Sequence, residues 1–329
     1  MIEVIYISLK TSSTYNIPVF PFLKNEIEFL SHCTLCPRNC GVNRFSQNLG
    51  FCKSDALFRI SSVCIHKGEE SVISGEKGIC NIFFPHCNLQ CIYCQNYDIS
   101  QNENYLPDAI PYEELIRKIC TVLDKTENIV GFVSPSHYIP QMLTLIRGIK
   151  ATGRNPVFVY NTNGYDKVES LKLLEGIIDV YLPDFKYMNP KLAKSYSQVK
   201  DYPEIASAAL KEMYRQKGST LIINDRGIAE SGIIVRHLVL PGAVGQSIKV
   251  LKYIAEELSV KLHISLMSQY YPTELVKNQQ ELNRTISHEE YKQVVDAFHE
   301  LGFYRGWTQD LESHASYRPD FSDGQPFKE

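Results

Sequence analysis

Between residues 87 and 94 the chain reads Cys-Asn-Leu-Gln-Cys-Ile-Tyr-Cys, placing thiols at Cys87, Cys91 and Cys94 with Tyr93 before the third. Three thiolates without a nearby fourth suit a cubane iron–sulfur cluster that keeps one iron open. An open iron binds and reacts with a second molecule, whereas a cluster held by four cysteines mostly shuttles electrons. A structural zinc usually takes two short knuckles that together close a tetrahedral shell. One compact triplet does not close such a shell. Scattered core thiols are the blander alternative.

The 329 residues allow two domains, or one barrel of ~250 residues with an extension. With 44% hydrophobic and 22% charged residues, the composition is that of a soluble globular protein. A net charge of −3 gives no electrostatic footprint for nucleic acid or membrane. The first residues show no basic segment leading into an apolar run, and no stretch reaches the ~20 apolar residues of a membrane span. Ten cysteines at short spacings point to metal ligation in a reducing cytoplasm rather than to disulfides.

Residues 1–30 are weakly patterned and are expected to form an irregular lead-in. Cys33, Cys36, Cys40 and Cys52 follow at spacings that suit a closed site, either tetrahedral zinc or a second, fully ligated iron–sulfur cluster. The spacing does not choose between these metals, and four free structural thiols are the alternative. This cysteine-rich module is expected within residues 1–60. Residues 58–84 read as strands and turns, with Cys64 and Cys80 as small core residues and His66 as a turn histidine.

From Phe84 onward, strand and helix alternate. Leu115, Ile116, Ile119, Cys120 and Leu123 share one helical face, and strands follow near residues 129–133, 157–160, 178–182, 233–240 and 262–266. Ser287 and Glu290 form a capping box ahead of the Tyr291, Val294, Val295, Phe298 and Leu301 stripe, and Gly302 stops that helix. Counting the strand before Cys87 gives six β/α units. Such units build a doubly wound sheet or a barrel with its site at the strands' C-terminal ends. The expected α/β domain spans 61–302, and a tail without clear periodicity spans 303–329.

The cysteine triplet with its aromatic resembles the signature of the radical S-adenosylmethionine (SAM) superfamily. The continuation Gln95-Asn96-Tyr97-Asp98 is similar to that of the pyruvate formate-lyase-activating-enzyme group. CTLCPRNCGVNR, GFC, HKGEE, FFPHCNLQCIYCQNYDIS, VYNTNGY, YLPDFKY, DYPE, VRHLVLPG and SQYYP together look like its PflX-type branch, over about residues 33–300. The resemblance implies a partial (β/α)6 barrel and a [4Fe–4S] cluster on Cys87, Cys91 and Cys94. It implies SAM as cofactor and a reductant such as flavodoxin or ferredoxin.

It also implies where SAM lies. Asn161-Thr162-Asn163-Gly164 is similar to the family's Asp-Thr-Asn-Gly, and Asp184-Phe-Lys186 to its Asp-x-Lys. Asn161, Thr162, Asn163, Asp184 and Lys186 are therefore candidate SAM contacts, with Tyr93 and Asn96 beside the adenine or the cluster. Arg236, in a strand of apolar residues, needs an anion, either the SAM carboxylate or Asp184; a structural salt bridge is the alternative. His137 and Gln269 complete the candidates. Many superfamily members hold the SAM amino group with a Gly-Gly-Glu motif after the second strand. Here Ser134-Pro-Ser136-His137 stands in that place, and Ser134 and Ser136 join the candidate SAM contacts, through hydroxyl oxygens or backbone carbonyls.

The implied activity is reductive cleavage of SAM to methionine and a 5′-deoxyadenosyl radical, which takes hydrogen from a partner protein, as in glycyl-radical-enzyme activation. A radical SAM modification of a small molecule, nucleotide or peptide residue is the second reading. A non-catalytic iron–sulfur or zinc protein is the third.

Overall fold

The computed structural model describes residues 4–7, 20–46, 48–315, 318–322 and 325–327. Its strands, in chain order, are β1 (Val4–Ile7), β2 (Phe20–Leu23), β3 (Ser62–His66), β4 (Ile79–Phe83), β5 (Ile129–Val133) and β6 (Val157–Thr162). They continue as β7 (Val180–Pro183), β8 (Ile222–Ile223), β9 (Ala229–Leu238), β10 (His263–Met267) and β11 (Gly306–Thr308). β4 and β5 are buried at every residue, as strands covered on both faces must be.

β4, β5, β6, β7, β9, β10 and β11 lie side by side and parallel. β3 runs antiparallel along the free edge of β4, and the short β8 pairs antiparallel with β9. The sheet runs from β11 to β3 without closing on itself among the described residues. This is the expected α/β fold: a mostly parallel sheet with helices, open as a partial (β/α)6 barrel is, with no closed barrel among the described residues. Its six strand–helix units are completed by helices at Tyr112–Leu123, Ile139–Ala151, Val168–Lys172, Tyr202–Lys217, Val244–Glu257 and His288–Glu300.

Local chemistry accounts for these helices. Tyr112–Leu123 buries Leu115, Ile116, Ile119, Cys120 and Leu123, and carries Glu113 and Glu114 where the helix dipole favours acids. His288–Glu300 starts at the capping box: Ser287 N–H donates to Glu290 Oε2 at 3.0 Å, and Glu290 N–H to Ser287 Oγ at 3.2 Å. Cys64 and Cys80 are buried core residues as expected.

Two segments differ from expectation. The lead-in is ordered where it is described: β1 and β2 form a hairpin, followed by a helix at Lys24–Ser31. Glu26 anchors that helix, with a side chain only 2% exposed and paired with Arg147 at 2.5 Å. The tail adds β11 to the sheet edge beside β10. Both elements are too short to show a period, and both are held by partners distant in sequence.

A buried histidine links the sheet to its outer layer and makes stability depend on pH. His237 of β9 bonds through Nδ1 to the Phe185 carbonyl at 2.7 Å and through Nε2 to Ser247 Oγ at 2.8 Å. Burial pushes its pKa down from 6.5 to about 4, outweighing the Phe185 carbonyl that raises it. The folded chain therefore binds fewer protons at this site than the unfolded chain between those values. The stabilisation is whole above pH 6.5 and is lost at about 1.4 kcal/mol per pH unit as the pH falls toward 4. Chemical denaturation at pH 7.5 and pH 5 should show about 2 kcal/mol more loss in the wild-type chain than in His237→Gln. An equal loss would remove this account.

Candidate active site at the strand ends

The parallel strands deliver their chemistry to one end. β4 ends at Phe83 and feeds the loop carrying Cys87, Cys91 and Cys94; Ser134 follows β5, and Asn161 and Thr162 close β6. Asp184 and Lys186 follow β7, Arg236 lies in β9, and Gln269 follows β10. These residues, with Asn96, Asn163 and Tyr93, line one cavity of about 180 Å³. Gly164 permits the convergence of the β6 and β7 ends. Its φ is +80°, and a Cβ there would lie 2.3 Å from the Asp184 carbonyl oxygen.

Each thiol of the triplet has its own side-chain partner. Asn163 Nδ2 donates to Cys87 Sγ at 3.2 Å, and Ser100 Oγ donates to Cys94 Sγ at 3.2 Å. Ser197 Oγ lies 2.9 Å from Cys91 Sγ and joins Tyr187 and Tyr93 in a chain of hydroxyls. Leu89 N–H also points at Cys87 Sγ at 3.4 Å. Burial pushes the Cys87 thiol up to about 12 and the Cys91 thiol up to about 11, although Lys186 works against the latter. Ligation of a metal by these thiols would release their protons.

Opposite the thiols stands a charged cluster. Arg236 Nη1 pairs with Glu69 Oε2 at 2.7 Å, and its Nε lies 3.7 Å from Glu70 Oε1 and 3.9 Å from Asp184 Oδ1. Lys186 Nζ pairs with Asp184 Oδ2 at 2.6 Å. Asn81 and Asn161 donate to Glu69 Oε1 at 3.1 and 3.3 Å. Asn81 reaches across because Gly131 of β5 has no Cβ, which would sit 2.1 Å from Asn81 Oδ1. Burial alone would push Glu69 up, but Arg236, His66 and Asn81 hold it below the ordinary carboxylate range. Burial likewise opposes the charge of Lys186, and Asp184 and Cys91 more than restore it.

The sequence-predicted residues do not all meet here. Ser134 has a left-handed φ of 52° and donates its N–H to the Asn161 carbonyl at 2.8 Å. That geometry turns the following residues away from the cavity. Ser136 lies 3.3 Å from Thr162 Oγ1 behind the wall, and His137 Nε2 bonds to the Pro85 carbonyl at 2.9 Å. His137 instead lines a second, small cavity with Cys33, Cys36, Cys40 and Cys52. Tyr93 reaches the main cavity, but its ring packs among Tyr187, Tyr196 and Tyr270. Gln269 is tied to Gln95 and Gln309.

The direct partner of Arg236 is Glu69 of the β3–β4 hairpin, with Asp184 at the edge of ion-pair range. Sequence reasoning missed Glu69, and the available signal was the Glu69-Glu70 pair directly after a strand and turn. His66 is a buried strand residue rather than a turn histidine, and its ring stacks 3.9 Å from that of Phe327. Phe327 and Pro319 of the tail also line the main cavity.

Direct bonds join the two cysteine regions. His86 Nδ1 meets the Cys52 carbonyl at 3.0 Å, and Arg38 Nε donates to the Asn88 carbonyl at 2.9 Å. Asn102 accepts from Cys87 N–H at 3.0 Å and donates to the Phe51 carbonyl at 2.8 Å. Among the described residues, no three His, Cys, Asp or Glu side chains are arranged to hold a single metal ion. No helix among them is long and apolar enough to cross a membrane.

The fold and cavity define an α/β protein with an open, mostly parallel sheet and a cysteine-bearing site at its strand ends. The chain belongs to the family of uncharacterized protein MJ0674 of Methanocaldococcus jannaschii. The two are 32% identical over 282 residues, which cover 83% of this chain and 77% of that protein. Uncharacterized protein MJ0808 of the same organism is 29% identical over 161 residues, 43% of this chain and 46% of its own length. Among solved structures, HydG, a maturase of the [FeFe]-hydrogenase, aligns with a TM-score of 0.48 and 14% identity, covering 78% of this chain and 58% of HydG. No family model matches the chain.

Proposed function

We propose that the protein is a radical SAM enzyme whose cluster is held by Cys87, Cys91 and Cys94. One observation carries this reading: three thiols, those of Cys87 and Cys91 buried and that of Cys94 half-buried, each beside its own hydrogen-bonding side chain, open on a cavity lined by Asn161, Asp184, Lys186 and Arg236. The donor set fits an iron–sulfur cluster, because thiolates prefer it and N–H and O–H groups beside the sulfurs tune it. When bound, such a cluster supplies the electron that splits SAM into methionine and a 5′-deoxyadenosyl radical.

The chain's own residues would then do the positioning. Lys186 and Arg236 offer positive charge to the methionine carboxylate, and Glu69 and Asp184 offer acceptors to its amino group. In this assignment the amino group takes side-chain acceptors from Glu69 and Asp184 rather than from the Ser134–His137 segment. Asn161, Thr162 and Asn163 would hold the ribose, and Asn96 and Tyr93 would border the base.

The hydrogen donor in this reading is a partner protein, with a PflX-type, glycyl-radical-activating role, and a flavodoxin or ferredoxin is the reductant. A second reading, a small-molecule, nucleotide or single peptide-residue substrate, is favoured by Pro319 and Phe327, which narrow the cavity. Adding SAM to the reduced, reconstituted protein should change the cluster's EPR signal, and Lys186→Met should weaken that response at least tenfold. A signal indifferent to SAM at any concentration would end the reading. A glycyl-radical signal on a partner protein supports the first donor, and 5′-deoxyadenosine formation dependent on a small substrate supports the second.

A further inference from the structure

The Cys33–Cys52 module forms a pocket of its own. Cys33, Cys36, Cys40 and Cys52 line one small cavity with Arg38, Arg44 and His137. None of the four thiols is in a disulfide. The backbone around them is fixed: Cys33 N–H donates to the Val42 carbonyl and Gly41 N–H to the Cys33 carbonyl, both at 2.9 Å. Phe51 N–H points at Cys40 Sγ at 3.4 Å, a contact that a metal-bound thiolate would strengthen.

Arg44 supplies the second observation. It is 1% exposed, and its guanidinium donates only to backbone carbonyls, those of Ser54, Asp55 and His137. Among the described residues no carboxylate lies within ion-pair distance of it, and the nearby Asp55 is paired with Arg59 at 2.8 Å. The ionisable groups acting most strongly on its charge are Cys52 and Cys33. A buried cation without an anion is costly. Four neutral thiols would leave Arg44 in that state, whereas four metal-bound thiolates would not.

We propose that Cys33, Cys36, Cys40 and Cys52 bind a thiophilic metal centre as a dianionic tetrathiolate, with Arg44 as its buried counter-charge. A zinc ion and an oxidised cubane iron–sulfur cluster both give that charge with four thiolates. In either case four thiol protons pass to solvent; zinc binds with no electron moved, and the oxidised cubane assembles without net redox change from two ferrous ions, two ferric ions and four sulfides. The four thiols are not at single-ion spacing, so zinc binding draws their side chains together on that fixed backbone. Through His86, Asn102 and Arg38 the loaded module braces the Cys87 loop without contributing a ligand to it.

The test uses the full-length chain with Cys87, Cys91 and Cys94 all changed to alanine, which removes the other thiol site. Offered zinc, or iron with sulfide, this chain should retain one centre, and adding Cys36→Ser should remove it. Zinc without sulfide identifies the ion; iron with sulfide identifies the cluster. Chelation should expose four further thiols to a thiol reagent. A folded triple-alanine chain that holds neither metal, or shows no thiols protected against chelation, overturns the site. In chelator competition Arg44→Gln should lower affinity at least tenfold and Arg44→Lys should lower it less. Equal affinity in Arg44→Gln and the wild-type arginine overturns the counter-charge.

Discussion

Replacement of Cys91 by alanine is expected to abolish 5′-deoxyadenosine formation while leaving the chain folded. Cys91 is 8% exposed, and its sulfur lies 2.9 Å from Ser197 Oγ. Losing so small a group leaves a void of roughly one sulfur, a cost on the order of 1–2 kcal/mol. The chemical loss is far larger. Without a third thiolate the open-site cluster has no complete ligand set, and a cofactor-dependent rate enhancement of at least about a million-fold goes with it. Iron and sulfide content should fall along with turnover, and far-UV circular dichroism should not change. Retained turnover in a folded Cys91→Ala chain would refute the cluster assignment.

The second large effect is expected at Arg236. Its guanidinium pairs with Glu69 at 2.7 Å and has Glu70 and Asp184 within 4 Å. The side chains of Glu69 and Glu70 are each only 6% exposed. Arg236→Met leaves those carboxylates facing one another without a cation, a loss of about 3–5 kcal/mol. For a chain of this size that corresponds to a drop in Tm of roughly 4–7 °C. Glu69→Gln in the same chain removes one unpaired charge and should restore part of the loss, which a double-mutant cycle reads as strong coupling. Additive effects would mean that Arg236 and Glu69 do not depend on one another. Because Arg236 also faces the cavity, the single variant should lose SAM affinity even at temperatures where it stays folded.

How far the sequence was readable follows from the range of each signal. The triplet Cys87, Cys91 and Cys94 is local, so its spacing is visible without a fold. The strand ends carrying Asn161, Asp184 and Gln269 were legible because apolar runs stop there and polar residues begin. Glu69 was not, because its partner Arg236 is 167 residues away and only the β3–β4 hairpin brings them together. Ser100 and Ser197, the partners of the Cys94 and Cys91 sulfurs, look like ordinary loop and helix serines in the sequence. Ser136 and His137 follow β5 as expected, but after the left-handed Ser134 they lie in buried positions away from the main cavity. The helix at Lys24–Ser31 carries too few apolar residues to show a period, and a buried salt bridge from Glu26 to Arg147 holds it instead.

Reductive cleavage of SAM by anaerobically reconstituted protein tests the central claim most directly. With a strong one-electron reductant, the cluster-loaded chain should convert SAM to 5′-deoxyadenosine and methionine in equal amounts, and Cys91→Ala should form neither. A chain that carries the iron and sulfide of a full cluster at Cys87, Cys91 and Cys94, yet yields no 5′-deoxyadenosine, would contradict the account.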